Sequence, residues 1–124
     1  MGKMGKSGFR DLKVWQRAKG LAVDVYVVVK KSPELAKDFG LRDQMQRAAV
    51  SICSNIAEGD ERDTDKDAVR FFYIAKGSAA ELITQLEFAK EAKLIESTLA
   101  DALIKESEEV GAMLGGLIKS RVSS

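Results

Sequence analysis

The side chains best placed to do chemistry fall in two stretches. Asp63, Asp65 and Asp67 alternate along DERDTDKD, the spacing of the first three ligands of an EF-hand calcium loop. The motif then fails. Ala68 stands where the tight turn needs glycine, and Ile74 where the ion needs a bidentate glutamate. The run reads better as a helix start, with Thr64 as N-cap and acidic groups near the positive end of the helix dipole. The second stretch holds Gln44, Ser51, Asn55, Glu58 and Arg62, which line one strip of a helix. Such a strip can line a pore or offer hydrogen bonds to a ligand. It can equally tie helices together, with Asn55, Glu58 and Arg62 satisfying one another or Ser78. The tie is the preferred reading, because polar groups beside a core serve packing specificity.

Catalytic machinery is sparse. The 124 residues include no histidine, which excludes a Ser-His-Asp triad, a Cys-His pair, His-ligated metals and the Glu-x-x-His motif of di-iron bundles. Two carboxylates, Glu58 and Glu106, remain as acid–base candidates, each with a simpler structural explanation. No glycine-rich phosphate loop follows a strand. The single cysteine, Cys53, has no activating neighbours in sequence and reads as a small packing residue. The expectation is a non-enzymatic protein without cofactor or metal.

The elements that position these residues are helices. The chain has a single proline, Pro33, so helices can run unbroken elsewhere. The first is expected over Phe9–Lys31, with Trp15, Ala18, Ala22, Val25, Tyr26 and Val29 on one face; a short turn follows from Ser32-Pro33 to about Gly40. The second long helix, Leu41 to Gly59, carries Leu41, Met45, Ala48, Ala49, Ile52, Ile56 and Gly59 on one stripe, widened by Val50, Cys53 and Ala57. The third, Asp65 to about Lys93, is apolar on most sides, with Tyr73, Ala80 and Phe88 on its back. The fourth, Thr98 to about Lys119 with Ser97 as N-cap, shows a heptad-like seam of Leu99, Leu103, Val110, Met113 and Leu117, with Glu106 in the missing slot. A carboxylate there must be paired or at the solvent edge. Short links make this an all-α, antiparallel up-down four-helix bundle over residues 9–119, flanked by flexible tails at 1–8 and 120–124. The second and third helices are too widely apolar for one bundle to cover, which predicts a homo-oligomer.

Formal net charge is only +1, so there is no global basic field. The charge is uneven: residues 1–62 hold 12 Lys/Arg against 8 Asp/Glu, and residues 63–124 hold 8 against 11. Arg10, Lys13 and Arg17 on the first helix, with Arg42 and Arg47, are the candidate phosphate contacts, made strong only by repetition in an assembly. The longest apolar run, Val25–Val29, is too short to span a bilayer, and Met1–Gly8 lacks a signal core. A cytoplasmic protein with no membrane contact is expected.

Three blocks, FRDLKVWQRAKGLAVDVY, GLRDQMQRAAVSICSNIAEGDER and FYIAKGSAAEL, resemble the four-helix-bundle proteins encoded with ribosomal RNA intervening sequences. The resemblance runs from Phe9 to about Lys119. A related branch, the accessory variability determinant of diversity-generating retroelements, is similar in fold and forms a homopentameric barrel that binds nucleic acid and a reverse transcriptase. The resemblance therefore implies a pentameric ring, with RNA or DNA and a reverse transcriptase or another protein as partners. It brings no catalytic residues. Its motif residues here, Ala49, Ser51, Asn55, Glu58, Gly59, Gly77, Ser78 and Glu81, read as structural. Unlike that basic branch, this chain is near neutral, so a scaffold that binds only protein is the competing expectation.

Overall fold

A computed structural model describes residues 8–122; residues 1–7, nearly all of the expected N-terminal tail, and residues 123–124, the last two of the expected C-terminal tail, lie outside the described residues. After a single 3-10 turn at Gly8–Asp11 come α1 (Lys13–Lys30), α2 (Pro33–Lys37), α3 (Phe39–Asp60), α4 (Asp65–Glu91) and α5 (Ser97–Val122). The four long helices pack in the cyclic order α1, α3, α4, α5, so α1 and α4 occupy one diagonal of the bundle and α3 and α5 the other. This is the expected all-helical bundle, with α2 as a short connector.

Local chemistry sets the helix ends. The N-cap Thr64 side chain accepts from the Asp67 N–H at 3.2 Å, as its spacing predicts. Ser32 behaves differently: its hydroxyl donates back to the Val28 carbonyl at 2.7 Å, closing α1 rather than capping α2. The second long helix begins two residues earlier than expected, because the Asp38 side chain accepts from the Leu41 N–H and captures Phe39 and Gly40. Lys93 ends α4 with φ of 61°. Its N–H bonds the Lys90 carbonyl and the Leu94 N–H bonds the Ala89 carbonyl, a Schellman stop in which lysine occupies the left-handed position usually given to glycine. At the other terminus α5 runs on through Ser120 to Val122, past the expected start of the tail. Arg121 holds this last turn, reaching Asp60 at 3.3 Å and Asp65 at 3.8 Å, with its guanidinium 5.3 Å from the Phe72 ring centroid.

The core is Leu21 and Val25 of α1, Met45, Ile52 and Ile56 of α3, Phe72, Leu82 and Leu86 of α4, and Val110 and Leu114 of α5, all essentially inaccessible. Each large side chain of this kind contributes about 1.5–3 kcal/mol by leaving water. On α3 the predicted stripe is buried except for Leu41, which is half-buried; on its widened flank Cys53 and Ala57 are half-buried and Val50 is exposed. Two stripes are rotated from their predicted positions. In α1 the buried face is Val14, Ala18, Leu21, Ala22, Val25 and Val29, while Trp15 sits at the edge and Tyr26 is 42% exposed. In α5 the buried line is Ala100, Leu103, Ser107, Val110, Leu114 and Ile118, and Leu99, Met113 and Leu117 are displaced to its flank. A search for large apolar residues passes over Ser107, which is fully buried because its hydroxyl is satisfied by its own helix, donating to the Leu103 carbonyl at 2.7 Å.

Candidate functional site

The polar strip of α3 divides into two separate sets. At its centre the Ser51 and Ser78 hydroxyls are hydrogen bonded across the α3–α4 seam at 2.9 Å. The Asn55 side-chain amide donates to the Ser51 hydroxyl at 3.0 Å and to the Ser51 carbonyl at 2.8 Å. One turn further on, Glu58 pairs with Arg62, which lies two residues past the end of α3, and the Arg62 guanidinium lies 4.4 Å from the Phe71 ring centroid. No hydrogen bond joins Asn55 to this pair among the described residues, and Glu81 is exposed and outside both sets. The single network expected of Ser51, Asn55, Glu58, Arg62, Ser78 and Glu81 is thus corrected. Three residues tie two helices together, two form a local pair, and one stands alone, because Glu58 and Arg62 lie beyond reach of the Ser51 level.

Close approach of α3 and α4 also fixes Gly59. A Cβ built there would stand 2.7 Å from a Phe72 ring carbon and 2.9 Å from the Ala68 carbonyl oxygen, so Phe72 packs where only glycine leaves room.

The carboxylate candidates do not converge. Glu58 is committed to Arg62. Glu106 sits at the solvent edge, its side chain 30% exposed, and accepts a two-pronged bond from Arg17 of α1 at 2.7 and 2.9 Å. Arg17 also reaches Glu109 at 2.5 Å. These hydrogen bonds hold the Glu106 carboxyl below its ordinary range and push the Arg17 guanidinium up. Both readings of Glu106 therefore hold at once: it is paired, and it is at the edge. Burial raises the Cys53 thiol above its usual range, away from the reactive thiolate. Asp65 and Asp67 stand in the first turn of α4, and no described cluster of His, Cys, Asp or Glu has the arrangement of a metal site.

The five candidate cations are not brought together as one patch. α1 spans roughly 27 Å at 1.5 Å per residue, and α3 runs back along it. Arg10, Lys13 and Arg17 lie toward the start of α1, whereas Arg42 and Arg47 lie toward the start of α3, at the opposite end. Arg17 is neutralised by its two glutamates. Arg42 contacts Asp43 at 3.1 Å and donates to the Ala36 carbonyl at 3.2 Å. Lys13 and Arg47 are exposed and pair with no carboxylate among the described residues. Arg10 lies 4.7 Å from the Phe9 ring centroid in a small cluster: Phe9 meets Trp15 edge-on at 5.1 Å, and Lys19 lies over Trp15 at 5.0 Å.

The grooves between the described helices are shallow and open. One of about 310 Å³ runs between α4 and α5 along Ala79, Ala80, Gly111 and Gly115. Another of about 490 Å³ lies at Tyr26, Gln46, Arg47 and Val50. More telling are large apolar side chains open to solvent: Val23, Tyr26 and Val27 on α1, Val50 on α3, and Tyr73, Ile74 and Phe88 on α4. Beside the α4 group lies a residue missed from the sequence. Gln85 is 8% exposed, and its side-chain oxygen is buried without a hydrogen-bond partner. Its signal was available, since Ser78, Leu82, Gln85 and Ala89 continue one buried line at spacings of four, three and four.

No helix among the described residues is long and apolar enough to cross a membrane. No curated protein of known identity matches the chain. A solved crystal structure from Bacteroides thetaiotaomicron, described as a protein of unknown function from the S23 ribosomal protein family, superposes with a TM-score of 0.80 at 24% identity. The match covers 86% of this chain and 98% of that one, and it establishes likeness of fold. The model of the 23S rRNA-intervening sequence protein family matches residues 10–116. With the bundle, its Ser51–Ser78 tie and its Gly59 contact all falling inside that span, the chain belongs to the 23S rRNA-intervening sequence protein family.

Proposed function

We propose that this protein is a non-enzymatic, homo-oligomeric accessory protein that works against nucleic acid. The observation that carries the reading is the set of unpartnered apolar side chains on opposite corners of the bundle, Val23 and Val27 of α1 and Ile74 and Phe88 of α4. Exposed residues grouped in this way mark contact surfaces, and two unlike surfaces on opposite sides of a protomer suit a closed ring. The resemblance stated above makes a pentamer the expected ring. Nucleic acid as partner is supported by Lys13 and Arg47, which no described carboxylate neutralises, and by the aromatic–cation cluster of Phe9, Arg10, Trp15 and Lys19. In a ring these modest groups repeat, and repeated weak phosphate contacts add.

The competing reading, a scaffold for a protein partner, is favoured by one observation: Arg17 is spent on Glu106 and Glu109, which removes the middle of the expected basic face. Anisotropy of labelled structured RNA and duplex DNA across a salt series, on the sized assembly, separates the two. Binding that weakens steeply with salt, and falls in a Lys13→Gln, Arg47→Gln double variant, supports contact with a phosphate backbone. No binding at low salt would overturn it in favour of the scaffold.

A further inference from the structure

Two aromatic rings and two cations meet at the start of α1. The turn Gly8–Asp11 is closed by the Leu12 N–H, which bonds the Phe9 carbonyl at 3.0 Å. It is tied to the helix by the Gln16 side-chain amide, which donates to the Arg10 carbonyl at 2.8 Å. The turn thereby sets Phe9 edge-on to Trp15, with ring centroids 5.1 Å apart. Trp15 packs against the core, and both rings stay half-exposed. Each ring is overlaid by one long side chain. The Lys19 ammonium lies 5.0 Å from the Trp15 centroid, and the Arg10 guanidinium 4.7 Å from that of Phe9. Both cations are exposed, and neither pairs with a carboxylate among the described residues.

Phe9 against Trp15 explains how the turn is anchored, and it leaves the two cations unexplained. An exposed cation over a ring is weakly held, and here it has no second tie. A nucleic-acid base stacked on an aromatic ring gains more than such a cation does. The base therefore takes the ring face, and the displaced cation is left within a side chain's length of the phosphates that flank the base. Only an unpaired base can enter, because inside a duplex both of its faces are covered by its neighbours. The approach is electrostatically favourable: Gly8 to Gly20 contains Arg10, Lys13, Arg17 and Lys19 against the single carboxylate Asp11, and of these cations only Arg17 is committed to α5. The cluster also stands clear of the side chains assigned above to contacts between copies, since Val23 begins that surface about two turns of α1 beyond Trp15.

Resting on the nucleic-acid reading above, we infer that this cluster is a subsite for an unpaired base of single-stranded nucleic acid. The base stacks on the Trp15 face that Lys19 covers in the free protein, and Lys19 and Arg10 turn to the flanking phosphates. The partner is thus a single strand or a loop, and a continuous duplex is a poor one.

Trp15 is the chain's only tryptophan, so its fluorescence reports on the cluster without a label. Titrating the intact chain with short oligo(U) and oligo(dT) should quench that emission saturably. Quenching by both reports stacking alone, and quenching by oligo(U) only adds a contact to the ribose 2′-hydroxyl. A hairpin duplex and inorganic polyphosphate, which carry the charge without an open base, should leave the emission unchanged. By anisotropy, Trp15→Leu should weaken oligo(U) binding about tenfold, the contribution of one stacked base, and Trp15→Phe, which keeps a ring face, clearly less. Lys19→Gln, at an exposed position, serves if the Trp15 variants fail to fold by circular dichroism. It should keep the quenching at saturation and lower the slope of log affinity against log salt by about 0.7, one single-strand phosphate contact. Binding without a change in Trp15 emission, or equal quenching by polyphosphate, overturns the base subsite and leaves the nucleic-acid reading standing. No binding of any strand at low salt removes both.

Discussion

The α3–α4 seam and the α1–α5 seam join neighbouring helices by opposite means. Along α3–α4 the residues are small and neutral: Gly59 admits Phe72, and two hydroxyls bridge at 2.9 Å. Across α1–α5, where the helices share less surface, a long side chain spans the gap, with Arg17 forking onto Glu106 and Glu109 at the solvent edge. Close seams are held by shape, and their polar groups must be short and fully paired, because an unpaired one is costly in low dielectric. Open seams tolerate full charges, because water continues to solvate them. The first arrangement is stiff and sensitive to single atoms; the second is forgiving and sensitive to pH.

The largest expected effect tests the first half of that contrast. Gly59→Ala forces its Cβ against Phe72 and the Ala68 carbonyl, and should destabilise by about 1–3 kcal/mol, the range for overpacking a filled core. Urea unfolding would measure it, and a loss within experimental error would mean the α3–α4 seam is looser than described. Ser78→Ala comes next. It strips Ser51 of its cross-helix partner and should cost about 1 kcal/mol by the same measurement.

On the α1–α5 seam Glu106→Gln should cost less, at most about 1 kcal/mol at neutral pH, since partly exposed pairs contribute little. Its pH dependence identifies it. The Glu106 carboxyl is held below its unfolded value by the Arg17 hydrogen bonds. Its contribution is therefore fully present above the ordinary carboxylate pKa of 4.5 and is lost as pH falls through the lower folded value. Wild type and variant should differ at pH 7 and converge in acid; a difference that persists in acid would point to packing instead of charge. The smallest effect belongs to Ser107→Ala. That hydroxyl is buried but bonds only its own helix, so stability should move by about 0.5 kcal/mol or less. A larger loss there than at Ser78 would invert the contrast between a bridging serine and a self-satisfied one.

Much of this architecture is legible in the sequence, for reasons that follow from range. Helical periodicity places Met45, Ala48, Ile52 and Ile56 on one line, and capping is a matter of three residues, so Thr64 could be read directly. Glu58–Arg62 is visible for the same reason, being four apart. Arg17 with Glu106 is not, since 89 residues separate them and only packing brings them together. The rotated α5 stripe shows a different limit. Hydrophobic pattern weights side chains by size, and the true seam runs through Ala100 and Ser107 because close helices leave room for little else there. For the surfaces, exposure decides: the pattern puts Phe88 on the back of its helix but Tyr26 on the buried face, and only the fold shows that both are open to solvent on opposite corners.

The most direct test of the account is the molar mass of the purified chain by light scattering at micromolar concentration. Assembly of copies gives a stable multiple of the 13.5 kDa protomer, five-fold for the ring that the resemblance implies. A monomer would contradict it, leaving the exposed apolar side chains of α1 and α4 without a second copy.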